Sequence, residues 1–153
     1  MSDLIATAAA LITFLFAWNG LKHNEKQFLN SIQPVVEKLE HHSKTDGYYR
    51  YVLHNYGNGA AINFEYKLFW CDSELNQTEL ESKIKNCFPN CTLELGAQSG
   101  ISPNTSDDLI NIKGIYNDNF EKFLRLLIKL KVELKFSTTQ GQVITKQLRF
   151  GHF

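Results

Sequence analysis

From Leu4 to Leu21 the chain reads LIATAAALITFLFAWNGL, a run without one ionisable side chain, opened by Asp3 and closed by Lys22. As a helix it rises about 27 Å, close to the ~30 Å hydrocarbon thickness of a bilayer, and the pattern predicts a transmembrane helix. A cleaved secretory signal fits less well, because the leader Met-Ser-Asp has no basic residue and no small-x-small site follows the run. A fully buried soluble helix is disfavoured too, since a chain of this size seldom surrounds an all-apolar helix. Lys22 and Lys26 on the C-terminal side, against Asp3 on the other, predict an N-out, C-in single-pass protein of the cell inner membrane with a cytoplasmic C-terminal domain.

Beyond the run the period changes twice. Phe28, Leu29, Ile32, Val35, Val36 and Leu39 recur at helical steps beneath polar residues, which predicts a helical stalk over 22–46, kinked at Pro34. Residues 1–21 are then an anchor and residues 47–153 a β-rich soluble domain. Tyr48 to His54 and Ala61 to Phe69 read as strands of a hairpin across Gly57-Asn58-Gly59. Glu79 to Phe88 reads as a short helix stopped by Pro89, with strands at Thr92 to Leu95 and Leu109 to Tyr116 and a polar loop, Gly96 to Asp108, between them. Phe120 to Leu127 is ambiguous. Ile128 to Phe136 alternates apolar and charged residues without error and turns at Thr138-Thr139-Gln140-Gly141 into a second alternating strand, Gln142 to Phe150. The fold class expected is a transmembrane helix plus a mainly β domain, an antiparallel sandwich or an α+β arrangement.

Charge is balanced at 16 basic against 16 acidic residues, so no global field draws duplex nucleic acid. The cysteines number three, Cys71, Cys87 and Cys91, an odd count that leans toward a reducing compartment. Cys-x3-Cys with scattered histidines falls short of a zinc site, and His41-His42 and Asp107-Asp108 read as solvated pairs, so no metal or other cofactor is expected. No phosphate-binding loop, nucleophile elbow, zinc-protease or kinase signature occurs, and no carboxylate pair is poised by spacing, which argues against an enzyme.

The most unusual constellation is Tyr48-Tyr49-Arg50-Tyr51 with His54, Asn55, Tyr56 and Asn58 close behind. Rings offer stacking faces, Arg and His offer charge-assisted donors, and Asn reads base edges, which is the equipment of a nucleotide-binding surface. The same residues are good strand formers, and ordinary packing accounts for most of the pattern. As a ligand site the set is Tyr49, Arg50, Tyr51, His54 and Asn55, with Lys146 and Arg149, and His152 beyond them, supplying further donors from the last strand.

Leu53-His54-Asn55-Tyr56-Gly57-Asn58-Gly59-Ala60-Ala61 resembles the Asn-x-Gly-x-Gly-(Pro or Ala)-Ala strand–turn motif of many small bacterial proteins in which a β-sandwich follows an N-terminal span, with Ala60 where proline is common. That resemblance implies fold more than function. In architecture the chain is similar to membrane effectors of antiviral defence, including the CRISPR ancillary membrane effectors that sense a cyclic oligoadenylate as tetramers. It implies a non-enzymatic sensor in which the aromatic–Arg strand binds adenines and phosphates and signals to an oligomeric anchor in the lipid bilayer. The competing expectation is a structural or scaffold subunit that recruits a protein partner, and in either case a homo-oligomer is expected because one span lines no conduit.

Overall fold

The computed structural model describes residues 2–96 and 99–151, with residues 2–6 and 8 described in backbone alone. One long helix, α1 (Ser2–Ser31), precedes two antiparallel sheets and two short helices. The first sheet has the order β1-β2-β7-β5, with β1 Val36–Ser43, β2 Tyr48–Asn55, β5 Thr92–Leu95 and β7 Ser106–Lys113. The second has the order β4-β3-β8-β9, with β3 Ala61–Trp70, β4 Ser73–Leu75, β8 Leu130–Thr138 and β9 Val143–Arg149, while β6 (Gly100–Ile101) pairs with the start of β3. Their inner faces share one core, in which the Tyr51 and Phe150 rings lie 4.1 Å apart and those of Phe64 and Phe136 5.3 Å apart. The fold is thus α+β with sandwiched sheets, and the β-sandwich expectation describes it in part.

The error-free alternation of the last third lands as expected. Leu130, Val132, Leu134, Phe136 and Thr138 are buried while Lys131, Glu133, Lys135 and Ser137 alternate with them on the wet face, and β8 pairs with β9 from Lys131↔Arg149 to Ser137↔Val143. The ambiguous stretch before it is a helix, α3 (Asp118–Leu127), whose Phe120, Phe123 and Leu127 are buried. Phe123 meets Tyr49 edge-on at 5.6 Å and Phe120 lies 5.5 Å from His42, so α3 covers the hairpin end of β1 and β2. The other short helix, α2 (Gln77–Cys87), starts at a capping box of Asn76 and Glu79 and buries Leu80 and Ile84.

Three expectations are corrected. The membrane span over Leu4–Leu21 does not hold, because among the described residues no helix is long and apolar enough to cross a membrane. The same continuous helix carries Trp18, Asn19 and Gly20 into Lys22, Glu25 and Lys26. With the span go the single-pass topology, the inner-membrane address with a cytoplasmic domain, and the bilayer as a partner argued from it. The stalk is not helical to its end: α1 stops at Ser31, ahead of Pro34, and Val36–Ser43 pairs along its whole length with β2. Finally, β2 and β3 do not form a hairpin, for they lie in different sheets. Gly57-Asn58-Gly59 is a crossover from one sheet to the other, and β1 is the strand that turns back on β2, through Gly47 at a φ of +66°.

Candidate functional site

The Asn-x-Gly-x-Gly motif proves to be a clamp on the segment that leaves α1. Asn55 is fully buried, and its side-chain oxygen accepts from the backbone N–H of Val35 and of Gly57, both at 3.0 Å. Its side-chain nitrogen donates to the carbonyls of Gly59 at 2.7 Å and Ile101 at 3.3 Å. Every polar position of the amide is used, which is what a buried Asn requires. The glycines leave room for the incoming chain: a Cβ on Gly59 would sit 1.7 Å from the Ile32 carbonyl oxygen, and one on Gly57 2.2 Å from that of Gln33. Asn58 completes the joint by donating from its side chain to the Ser31 carbonyl at 3.1 Å, satisfying an otherwise open acceptor at the helix end. Asn55 is therefore a structural residue that fixes where α1 leaves the domain.

Alternation along β2 separates the remaining candidates. Tyr49 and Tyr51 face the core, where Tyr49 donates to Glu40 at 2.9 Å and Tyr51 packs on Phe150. Burial, with Glu40 adding to it, pushes both phenols well above their usual range, so they stay protonated. Arg50 and His54 point outward. Arg50 makes a bidentate pair with Asp108, its Nη2 lying 2.7 Å from Oδ1 and its Nε 3.2 Å from Oδ2, and this hydrogen bond above all holds the guanidinium protonated. His54 bonds Ser106 at 2.6 Å, with its ring 4.1 Å from that of Tyr56. A single pocket does not join these two residues to the tyrosines, since they occupy opposite faces of one sheet.

Lys146 and Arg149 instead meet the opposite sheet at its open edge. Here β1 of one sheet and β9 of the other face each other across a cleft of about 530 Å³ lined by Glu37, Lys38, Lys146, Gln147, Leu148 and Arg149. Two lysines span it reciprocally. Lys146 reaches the Val36 carbonyl at 2.7 Å and Glu37 at 2.8 Å, while Lys38 reaches the Arg149 carbonyl at 3.0 Å and Glu40 at 2.9 Å. Such lysines satisfy main-chain carbonyls that an edge strand otherwise leaves open, and they hinder pairing with another chain. Lys38 also lies 6.0 Å above the Tyr51 ring. Sequence reasoning missed Glu37 and Lys38 because it placed them on a helical stalk; Val36, Lys38 and Glu40 share one face of β1 but mix apolar and charged residues, so no local alternation marked the strand.

A second open groove, about 630 Å³, runs between α2 and the β3–β4 turn, with Lys83 5.9 Å over the Trp70 ring. His41 and His42, adjacent on a strand, diverge to opposite faces, and among the described residues no three potential metal ligands gather. His152 lies outside the described residues. The three cysteines are free, Cys71 and Cys87 exposed and Cys91 buried, and burial raises the Cys91 thiol.

Comparison with curated proteins gives no match to the chain. The domain of unknown function DUF8453 matches residues 2–146, a span that takes in α1, the clamp and both sheets, and the chain belongs to that family.

Proposed function

We propose that the chain is a non-enzymatic assembly subunit, in which α1 joins copies of the chain into a helical bundle and each copy holds its two-sheet domain in fixed relation to that bundle. The observation that carries this reading is the exposure of α1. Leu11, Ile12, Phe14, Leu15, Phe16, Trp18, Leu21, Phe28 and Leu29 expose between 38% and 74% of their surface. At about 100° per residue they occupy roughly two-thirds of the helix circumference, far wider than one amphipathic stripe. At roughly 100 Å² apiece, well under the 150–250 Å² that a covered aromatic buries, they present on the order of 900 Å² of apolar surface, more than monomers usually leave uncovered. Further copies of the same helix supply a matching surface, and so broad a face needs more than one neighbour, which makes the assembly a trimer or larger.

The clamp supports the same reading, because a rigid exit from α1 lets assembly set the spacing and direction of the domains. A cyclic oligonucleotide as ligand draws support from Lys146 and Arg149 alone, since Tyr49 and Tyr51 offer no free ring face for stacking.

Cysteine cross-linking tests the assembly. In full-length protein carrying Cys71→Ser and Cys87→Ser, Leu15→Cys should form a disulfide between copies on mild oxidation, and Leu11→Gln with Trp18→Gln added should abolish it. Because these side chains are exposed in the single chain, the variants should keep the parent's sheet signal in far-ultraviolet circular dichroism and lose only the stability that assembly itself contributes. Failure of Leu15→Cys to cross-link at any protein concentration sinks the proposal.

A further inference from the structure

We infer that copies of the chain meet through one seam of α1, made of Leu11, Phe14, Trp18, Leu21 and Phe28 with Glu25 among them, and that Glu25 limits how tightly they hold; this rests on α1-mediated assembly. The six follow one another at alternating steps of three and four residues, the period of helices that wind round a neighbour. At about 100° per residue they share an arc of roughly 100°, with Leu29 at its border. Leu15, Ile12 and Phe16 widen the apolar surface on one flank, but only over the first half of the helix. Past Trp18 the same flank holds Asn19, Lys22, Lys26 and Asn30, so there a neighbour finds large apolar side chains on the seam alone.

Glu25 stands in the middle of that arc, exposed, with Trp18 and Leu21 before it and Phe28 and Leu29 after it. No hydrogen bond or ion pair engages its carboxylate among the described residues. Lys22, the basic residue one turn away, instead places its Nζ 5.4 Å from the centre of the Trp18 ring, which stacks on Phe14 at 6.2 Å. A single polar residue in an otherwise apolar seam weakens association and fixes which residues stand opposite each other. The partner that fits is a second copy of this chain, because a seam of one spacing interlocks with itself. At roughly 100 Å² for each of its five apolar residues, two copies bury about 1,000 Å², the size at which specific interfaces begin.

Sedimentation equilibrium of the full chain compares Glu25→Leu with Gln27→Leu, which puts the same side chain about 160° away on the helix, outside the seam. Both positions are exposed in the single chain, so neither change disturbs the two-sheet domain. Glu25→Leu should lower the concentration of half-dissociation at least tenfold, and Gln27→Leu should leave it within twofold of the parent. For an assembly too tight to dilute apart, the half-time of exchange between labelled and unlabelled copies gives the same comparison. Glu25→Leu no tighter than the parent overturns the inference, and so does equal tightening by Gln27→Leu, which is the mark of added stickiness without a seam. In both of those cases an assembled parent leaves the bundle standing. A parent and variants that are all 17.6 kDa at every concentration remove bundle and seam together, and leave α1 to be covered by a different protein.

Discussion

Replacing Asn55 by alanine removes the hub on which the exit of α1 depends, and its cost follows from the bonds counted. The side chain makes four hydrogen bonds, with Val35 N–H, Gly57 N–H, the Gly59 carbonyl and the Ile101 carbonyl. At about 1 kcal/mol net for each, with further loss where a buried partner is left open, Asn55→Ala should cost about 4 kcal/mol. That is a large share of the ~5–15 kcal/mol that holds a domain folded. With a urea slope of roughly 2 kcal/mol/M, the unfolding midpoint should fall by about 2 M, followed by far-ultraviolet circular dichroism. Asn55→Asp sharpens the test. It keeps the acceptor for Val35 and Gly57 but at neutral pH sets a carboxylate against two carbonyl oxygens, so it should be at least as damaging as alanine there. Below about pH 4 the acid form regains a donor, and the aspartate variant should recover relative to alanine. A loss under ~1 kcal/mol for Asn55→Ala would refute the reasoning, because water would then be serving the linker as well as the amide does.

Gly59→Ala places a methyl group against the Ile32 carbonyl, where only backbone can yield, so a loss near the upper end of the ~1–3 kcal/mol for overpacking is expected, with faster amide hydrogen exchange at Val35. Arg50→Ala, by contrast, should shift stability by less than ~1 kcal/mol in urea unfolding, since its pair with Asp108 is solvent-exposed. The buried phenols set an alkaline limit. Unfolded tyrosines ionise near pH 10, whereas native Tyr49 and Tyr51 hold their protons higher, so the native state binds more protons and stability falls as pH rises above about 10. A pH series of urea midpoints should show that decline, and Tyr49→Phe should lessen it.

The elements that depend on local alternation were legible in the sequence. β8 and β9 each bury one face against a common core and leave the other wet, so residue type alone reports the period. What failed depended on partners distant in the chain. Leu39 and Val36 sit at helical spacing with Phe28 and Ile32, yet β1 is a strand because eight positions of β2 pair with it, and nothing local announces that pairing. Gly57-Asn58-Gly59 carries the turn chemistry of a hairpin, but its glycines serve the approach of Gln33 and Ile32 rather than a reversal between paired strands. The candidate site divided for a related reason. Proximity in sequence grouped Tyr49, Arg50 and Tyr51, whereas a strand sends neighbours to opposite faces. Lys146 and Arg149, chosen as accessories, turned out to line a cleft with Glu37 and Lys38 from a strand more than a hundred residues earlier.

Sedimentation equilibrium of the full chain over a wide concentration range tests the assembly most directly. An α1-mediated bundle predicts a mass at least three times 17.6 kDa that dissociates only on dilution or with Leu11→Gln and Trp18→Gln in place. A single species of 17.6 kDa at every concentration would contradict it.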